Sequence, residues 1–255
     1  MKQISAIGFD LFNTLITVNP DALPEATSRL LRSLSCSGFT FDEKSFLEAY
    51  RGTAARLLEE SKQNGKETHN SIWISTALQT QGHAVPPDDP RIMDAVDIYF
   101  TAFFEKCRRI PGTLKMLSAL KKDYPLGLLS NFTHAPAAWE ILHRLSLSQC
   151  FDIVLISGEL GFRKPFPFVF DKLIEALGTE RERVLFIGDD PEADVMGAHQ
   201  AGLQPVWMTY VRDHNLPFLP YSQSQEESLA PHYVPRISIW EDLCALIPAV
   251  AQADL

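Results

Sequence analysis

The chain has 255 residues, 45% of them hydrophobic and 22% charged, a globular balance that excludes a disordered, collagenous or fibrous protein. Asp and Glu total 32 against 23 Lys and Arg, and the net charge of -9 opposes binding to nucleic acid and to anionic membranes. No apolar run reaches the ~18 residues of a membrane span, and Asp10 interrupts the N-terminal apolar stretch where a signal peptide needs continuity, so a soluble cytoplasmic protein is expected.

Ile4 to Phe9 is short and apolar throughout, the pattern of a buried strand. Helical periodicity then runs through Leu23 to Leu34, Glu43 to Glu60, Ser71 to Leu78 and Arg91 to Cys107, broken by Ser37-Gly38, Asn64-Gly65 and the prolines from Pro86 to Pro90. After Pro111-Gly112 the pattern alternates. Strands are expected over Leu126 to Leu129, Ile153 to Ile156, Val184 to Ile187 and Pro205 to Met208. Helices are expected over Thr113 to Lys122, Pro136 to Leu145, Pro167 to Leu177 and Glu192 to Ala201. Asp213 to His232 reads as a surface loop, followed by a strand over Tyr233 to Ile237 and a helix over Trp240 to Ile247. Apolar strands alternating with helices give an α/β fold: a Rossmann-like parallel sheet covered by helices on both faces. An inserted all-helical domain over residues 20–109 divides it, leaving a core of 1–19 and 110–255. Cys36, Cys107, Cys150 and Cys244 form no C-x-x-C pair and are expected to be buried free thiols rather than zinc ligands.

Ligands of open parallel sheets bind beyond the carboxyl ends of the strands. Those ends carry Asp10, Ser130 and the Gly188-Asp189-Asp190 turn with Asp194, while Lys164 stands in Arg163-Lys164-Pro165 before a helix. Carboxylates gathered at one rim need a cation, and Mg²⁺ takes oxygen ligands while leaving positions for a phosphate. Ser130 can donate to a phosphate oxygen, Lys164 can neutralise charge, and Asp10 can act as a nucleophile on phosphorus.

These segments resemble the haloacid dehalogenase-like superfamily. FDLFNTL at Phe9 to Leu15 matches a strand ending in Asp-x-x-x-Thr, LLSN at Leu128 to Asn131 the strand ending in Ser, FRKPFP the Lys motif, and FIGDDPEAD at Phe186 to Asp194 the acidic motif. The resemblance implies that Asp10, Ser130 and Lys164 are catalytic. It implies that Phe12, Asn13, Thr14 and Asn131 border the substrate. Asp10, the Phe12 carbonyl, Asp189 and Asp194 would hold Mg²⁺. It also implies that residues 20–109 form a cap over the site. The implied activity is a Mg²⁺-dependent phosphatase of a small phosphorylated metabolite, a monomer or homodimer without nucleic-acid or membrane partners.

One position departs from the family. Its phosphatases carry a second Asp two residues after the nucleophile, as general acid and base; here that residue is Phe12, which transfers no proton. An aromatic residue there resembles the 2-haloacid dehalogenase branch, which attacks carbon. Phe12 therefore leaves two alternatives: a dehalogenase-like hydrolase, or a binding or regulatory protein without turnover. Asn13 replaces a common Gly and tolerates a left-handed backbone, so the loop geometry is expected to be kept. Asp190 reads as a helix cap, Arg163 as an ion-pair residue, His134 as a surface residue, and Trp73, Phe100, Phe103 and Phe104 as core of the insertion.

Overall fold

A computed structural model describes residues 3–217, 234–243 and 245–247. Its main sheet has six parallel strands in the order β5-β4-β1-β6-β7-β8. They are β1 (Ala6–Phe9), β4 (Leu126–Ser130), β5 (Ile153–Ile156), β6 (Val184–Gly188), β7 (Gln204–Met208) and β8 (Arg236–Ile237). The strand pleat sends alternate residues to opposite faces. Ile7, Phe9, Leu128, Leu185 and Ile187 pack on one side with helices α5 (Thr113–Leu120) and α6 (Ala135–Arg144). Ala6, Leu129, Val184 and Phe186 pack on the other with α8 (Pro167–Leu177) and α9 (Gly197–Gln200). The parallel sheet is thus covered on both faces, and central β1 places Asp10 between the ends of β4 and β6.

Four helices stand between β1 and α5 in the chain: α1 (Ala22–Cys36), α2 (Glu43–Asn64), α3 (Asn70–Thr80) and α4 (Pro90–Phe104). Both passages into this block are strands. Ile16–Val18 (β2) pairs antiparallel with Cys107–Arg109 (β3), Val18 opposite Cys107. The helix expected to run to Cys107 therefore ends at Phe104, and the chain turns into β3. A strand of three residues, two of them Arg, gives no periodic signal.

The segment expected as a helix over Glu192 to Ala201 begins as a π turn, Pro191–Met196, before α9. A short helix, α7 (Ser157–Leu160), follows β5 without having been expected. Near the C-terminus, β8 covers the end of the expected strand, and Trp240–Leu243 is helical with a turn after it. Tyr233, Cys244 and most of the expected loop lie outside the described residues. Cys36, Cys107 and Cys150 are free; Cys36 is exposed rather than buried, because its place at the end of α1 turns it outward, whereas burial pushes the Cys107 thiol up to about 12.

The turn after α2 docks onto the core. Gly65, with φ 71°, ends α2, its carbonyl accepts from the Arg163 amide at 2.9 Å, and the Glu67 amide donates to the Gly161 carbonyl at 2.9 Å. A Cβ on Gly65 would come within 2.2 Å of the Phe166 ring. Gly65→Ala is expected to lower stability by about 1–3 kcal/mol, through the left-handed backbone and the displaced ring; urea unfolding with an unchanged midpoint would contradict this packing.

Candidate active site

Asp10 ends β1, Ser130 ends β4, Asp189 follows β6, and Asp194 rises from the π turn. Carboxylate oxygens of Asp10, Asp189 and Asp194 lie within 4.8 Å of one another, and all three residues are buried. Gly188 permits this: a Cβ there would lie 2.4 Å from the Asp194 side chain. Asp194 is fixed through Oδ2, which accepts from the Asp190 amide at 3.0 Å. The Asp189 carbonyl accepts from Trp207 Nε1 at 2.9 Å, and Thr14 Oγ1 stands 3.5 Å from Asp189 Oδ1.

Lys164 supplies the nearest positive charge. Its Nζ is 2.6 Å from Asp10 Oδ1 and 2.7 Å from Asp194 Oδ1, with the side chain almost fully buried. Asn131 holds the backbone behind it: its Nδ2 donates to the Lys164 carbonyl at 2.9 Å and its Oδ1 accepts from the Lys164 amide at 2.8 Å. Both ends of the Asn131 amide are thus engaged in positioning Lys164. Asn13 has φ 60°, the left-handed conformation expected for it, and its amide donates to the Ile16 carbonyl at 2.7 Å.

Burial works against these charges. It raises the Asp10 carboxyl to about 6, with Lys164 opposing the rise and Asp194 adding to it. Burial and then repulsion from Asp10 and Asp194 hold Asp189 well above the usual carboxylate range. Asp190 rises to about 7 from burial and the nearby Asp194, although its Oδ1 accepts from the Glu192 and Ala193 amides. Burial pulls the Lys164 ammonium down, but Asp10 and Asp194 outweigh it and leave it raised. One ammonium among these carboxylates leaves net negative charge away from water.

A hard divalent cation fits that donor set. Asp194 Oδ1, although paired in charge with Lys164, receives no well-directed hydrogen bond, and Ser130 Oγ is likewise buried with no partner among the described residues. The first suits an ion, the second an incoming acceptor oxygen.

Above this floor is a cavity of about 170 Å³. Phe12 lines it, its ring stacked on Phe132 with centroids 4.9 Å apart, and Phe100 of α4 lies 5.2 Å from Phe132. Trp73, Phe100 and Phe103 line the same space, so residues read from the sequence as core of the insertion also form walls of the site; Phe104 does not line it. Asp190, read as a cap, both caps the π turn and borders the cavity.

Five polar side-chain contacts join the insertion to the core beside the site. Arg163 Nη1 donates to Glu67 Oε1 at 3.1 Å, and Ser157 Oγ donates to Glu67 Oε2. Thr133 Oγ1 donates to Asn70 Oδ1 at 2.5 Å, and the Thr133 carbonyl is 3.0 Å from His69 Nδ1. His134, expected at the surface, is mostly covered: it stacks on Phe100 at 4.7 Å and reaches Asp97 Oδ1 at 2.9 Å. Glu67 was not singled out from the sequence; a lone loop carboxylate carries no local signal of a partner 96 residues away.

The raised carboxyls set a direction for stability. Without a cation, the folded protein holds these protons more tightly than the unfolded chain, so protonation favours folding. Stability of the metal-free protein is expected to be lost as pH rises from the ordinary value of 3.8 through about 6 for Asp10 and about 7 for Asp190. Added Mg²⁺ should raise Tm more at pH about 7 than at about 5. Thermal melts in EDTA and in Mg²⁺ that show the opposite pH trend would contradict the carboxylate cluster.

The haloacid dehalogenase-like hydrolase family profile matches residues 4–202. The chain is 27% identical to a ribulose-1,5-bisphosphate 5-phosphatase of Halopiger xanaduensis, over 79% of this chain and 83% of that one. It is 29% identical to a glyceraldehyde 3-phosphate phosphatase of Pyrococcus furiosus, over 82% of each. Among solved structures, a 2-haloacid dehalogenase from Pseudomonas syringae superposes with a TM-score of 0.70 at 21% identity, covering 96% of this chain and 99% of that one. That likeness is one of fold. The profile match extends from before β1 to the end of α9, across every motif that forms the floor of the site, and the chain belongs to the haloacid dehalogenase-like hydrolase family.

Proposed function

We propose that the protein is a Mg²⁺-dependent phosphatase of a small phosphorylated metabolite, acting through an aspartyl-phosphate at Asp10, with the helical insertion as its cap. The observation that carries this reading is the buried Asp10–Lys164–Asp194 cluster with Asp189 beside it. Three carboxylates around one ammonium leave negative charge for a divalent cation to offset, as phosphoryl transfer uses it. Relatives named as phosphatases of sugar phosphates support the same chemistry.

Asp10, Asp189, Asp194 and the Phe12 carbonyl would hold the magnesium, which when bound offsets their charge and draws charge from the phosphoryl oxygens. The rest belongs to the chain. The free carboxylate oxygen of Asp10 attacks phosphorus as the ester P–O bond breaks. Ser130 Oγ donates to a phosphoryl oxygen, and Lys164 balances the charge of nucleophile and phosphate. Water then attacks the phosphorus of the aspartyl-phosphate, the P–O bond to Asp10 breaks, and inorganic phosphate leaves with Asp10 restored. Phe12 carries no proton in either half. The leaving oxygen departs as an anion, and the attacking water loses its proton to solvent without a base at that position.

Magnesium-dependent phosphate release that disappears in EDTA and in Asp10→Asn is expected across a metabolite panel. A folded protein releasing phosphate from no compound would overturn the reading. With an activated ester such as p-nitrophenyl phosphate, a burst of nitrophenol near one per enzyme is expected, since hydrolysis of the aspartyl-phosphate lacks its base. Phe12→Asp should raise steady-state turnover by about 10²–10⁴-fold and abolish the burst. Turnover unchanged in that variant would contradict the role given to position 12.

A second reading, a dehalogenase-like hydrolase, is favoured by the Phe12 ring in an apolar cavity. Halide release from 2-haloacids that persists in EDTA would establish it in place of the first.

A further inference from the structure

The walls of the cavity differ in kind from its floor. Phe12, Phe132, Phe100, Phe103, Trp73 and Leu58 present rings and a branched aliphatic chain. Four polar side chains among those walls already have partners. Asn70 donates through Nδ2 to Tyr50 and accepts at Oδ1 from Thr133. Arg163 is paired with Glu67, whose carboxylate is itself fully covered. Trp73 Nε1 donates to Thr68. Asn131 is engaged with the Lys164 backbone. A substrate rich in hydroxyls, or carrying a second anion, would find few free donors and no unpaired cation on these walls among the described residues, and much of its polar surface would lose water without replacement.

The second observation is chemical. Beyond the floor, Asp190 is the one carboxyl among the described residues that borders the cavity, and its Oδ1 is taken by the Glu192 and Ala193 amides of the π turn; Tyr99 offers only a phenol, a far weaker acid. Phe12, two residues after Asp10, lines the cavity with a ring that can deliver no proton. With no proton donor on the Phe12 side, a leaving oxygen stable as an anion is favoured. Phenolic oxygens meet that demand, ionising near pH ~10 as tyrosine does, several units below an aliphatic alcohol. An aromatic ring also matches the stacked wall of Phe12 and Phe132.

Resting on the phosphatase reading above, we propose that the substrate is a compact monophosphate ester of an aromatic hydroxyl. Its phosphate meets the carboxylate–lysine floor, its ring lies against the aromatic wall, and its phenolate leaves without a proton. Asp10 takes the phosphoryl group as the P–O(aryl) bond breaks, and the phenolate gains its proton from water afterwards. Water then releases inorganic phosphate. The sum is one ester and one water giving one phenol and one phosphate.

The test compares kcat/KM, which reports the phosphorylation half, for four compounds with Mg²⁺. Phenyl phosphate has both the ring and the good leaving oxygen. Acetyl phosphate has the leaving group without the ring, benzyl phosphate the ring without the leaving group, and phosphoglycolate has neither and adds a second anion. Phenyl phosphate is expected to exceed phosphoglycolate by at least about 10²-fold and the other two by about 10-fold or more. Any of the three matching phenyl phosphate overturns the substrate class and leaves the phosphatase reading in place. No phosphate from any of the four, with the circular dichroism of a folded protein, overturns both. In Leu58→Lys, which sets a cation in the wall, the preference for phenyl phosphate over phosphoglycolate should fall by about 10-fold. A preference unchanged in that variant overturns the assignment of this wall to the ring.

Discussion

Lys164 Nζ lies within 2.7 Å of both Asp10 and Asp194, and all three groups are out of water. Desolvating ions of this size costs several kcal/mol each, recovered only where the geometry is close and the remaining lone pairs are served. Much of the core serves that geometry. The ends of β1 and β6 and the π turn deliver the carboxylates, Gly188 leaves room for Asp194, and Asn131 grips the backbone on both sides of the Lys164 α-carbon. Trp207, from the neighbouring strand β7, anchors the Asp189 carbonyl. The cluster is still short of positive charge, which is the physical reason for reading it as a cation site rather than a structural ion pair.

The aromatic wall has a different logic. Phe12 stacks on Phe132, Phe132 packs against Phe100, and Phe100 stacks on His134, so rings from the core and from α4 alternate in one continuous series. Such packing excludes water and strengthens every charge interaction at the floor. The same residue that removes a proton carrier from position 12 thus extends the apolar surface over the nucleophile.

Much of this was legible in the sequence because the relevant signals are local. Buried parallel strands are apolar throughout, so their ends were readable; Asp10, Ser130 and Asp189 fell at those ends and Asp194 in the turn after the last of them. Asn13 announced its left-handed backbone by residue type. What escaped was non-local. The Arg-rich β3 has no pattern of its own and exists as a strand only because β2 lies beside it. Glu67 looks like any solvated loop carboxylate until Arg163 and Ser157 close on it. Trp73, Phe100 and Phe103 announced burial by their spacing, but spacing says nothing of whether the covered face meets a neighbour or a cavity. The π turn at Pro191–Met196 escaped for a related reason, since one residue more per turn leaves little mark on a short apolar pattern.

The pairing of β2 with β3 bears on how the molecule is divided. Val18 faces Cys107, so the chain leaves the sheet and returns to it at adjacent points, with all four insertion helices between. Ancestry could exchange that whole block as one cassette at a single two-stranded seam. Exchange would rewrite the walls contributed by α2, α3 and α4 while the carboxylate floor, built from the other side of the seam, kept its reagents. The contacts that would need to be reinvented include the backbone bonds of Gly65 and Glu67 with Arg163 and Gly161, the side chains of Glu67 with Arg163 and Ser157, of Asn70 and His69 with Thr133 and of Asp97 with His134, and the Phe100 ring with Phe132 and His134. The carboxylate floor and the walls from α2, α3 and α4 thereby lie on separate stretches of chain, joined at one seam.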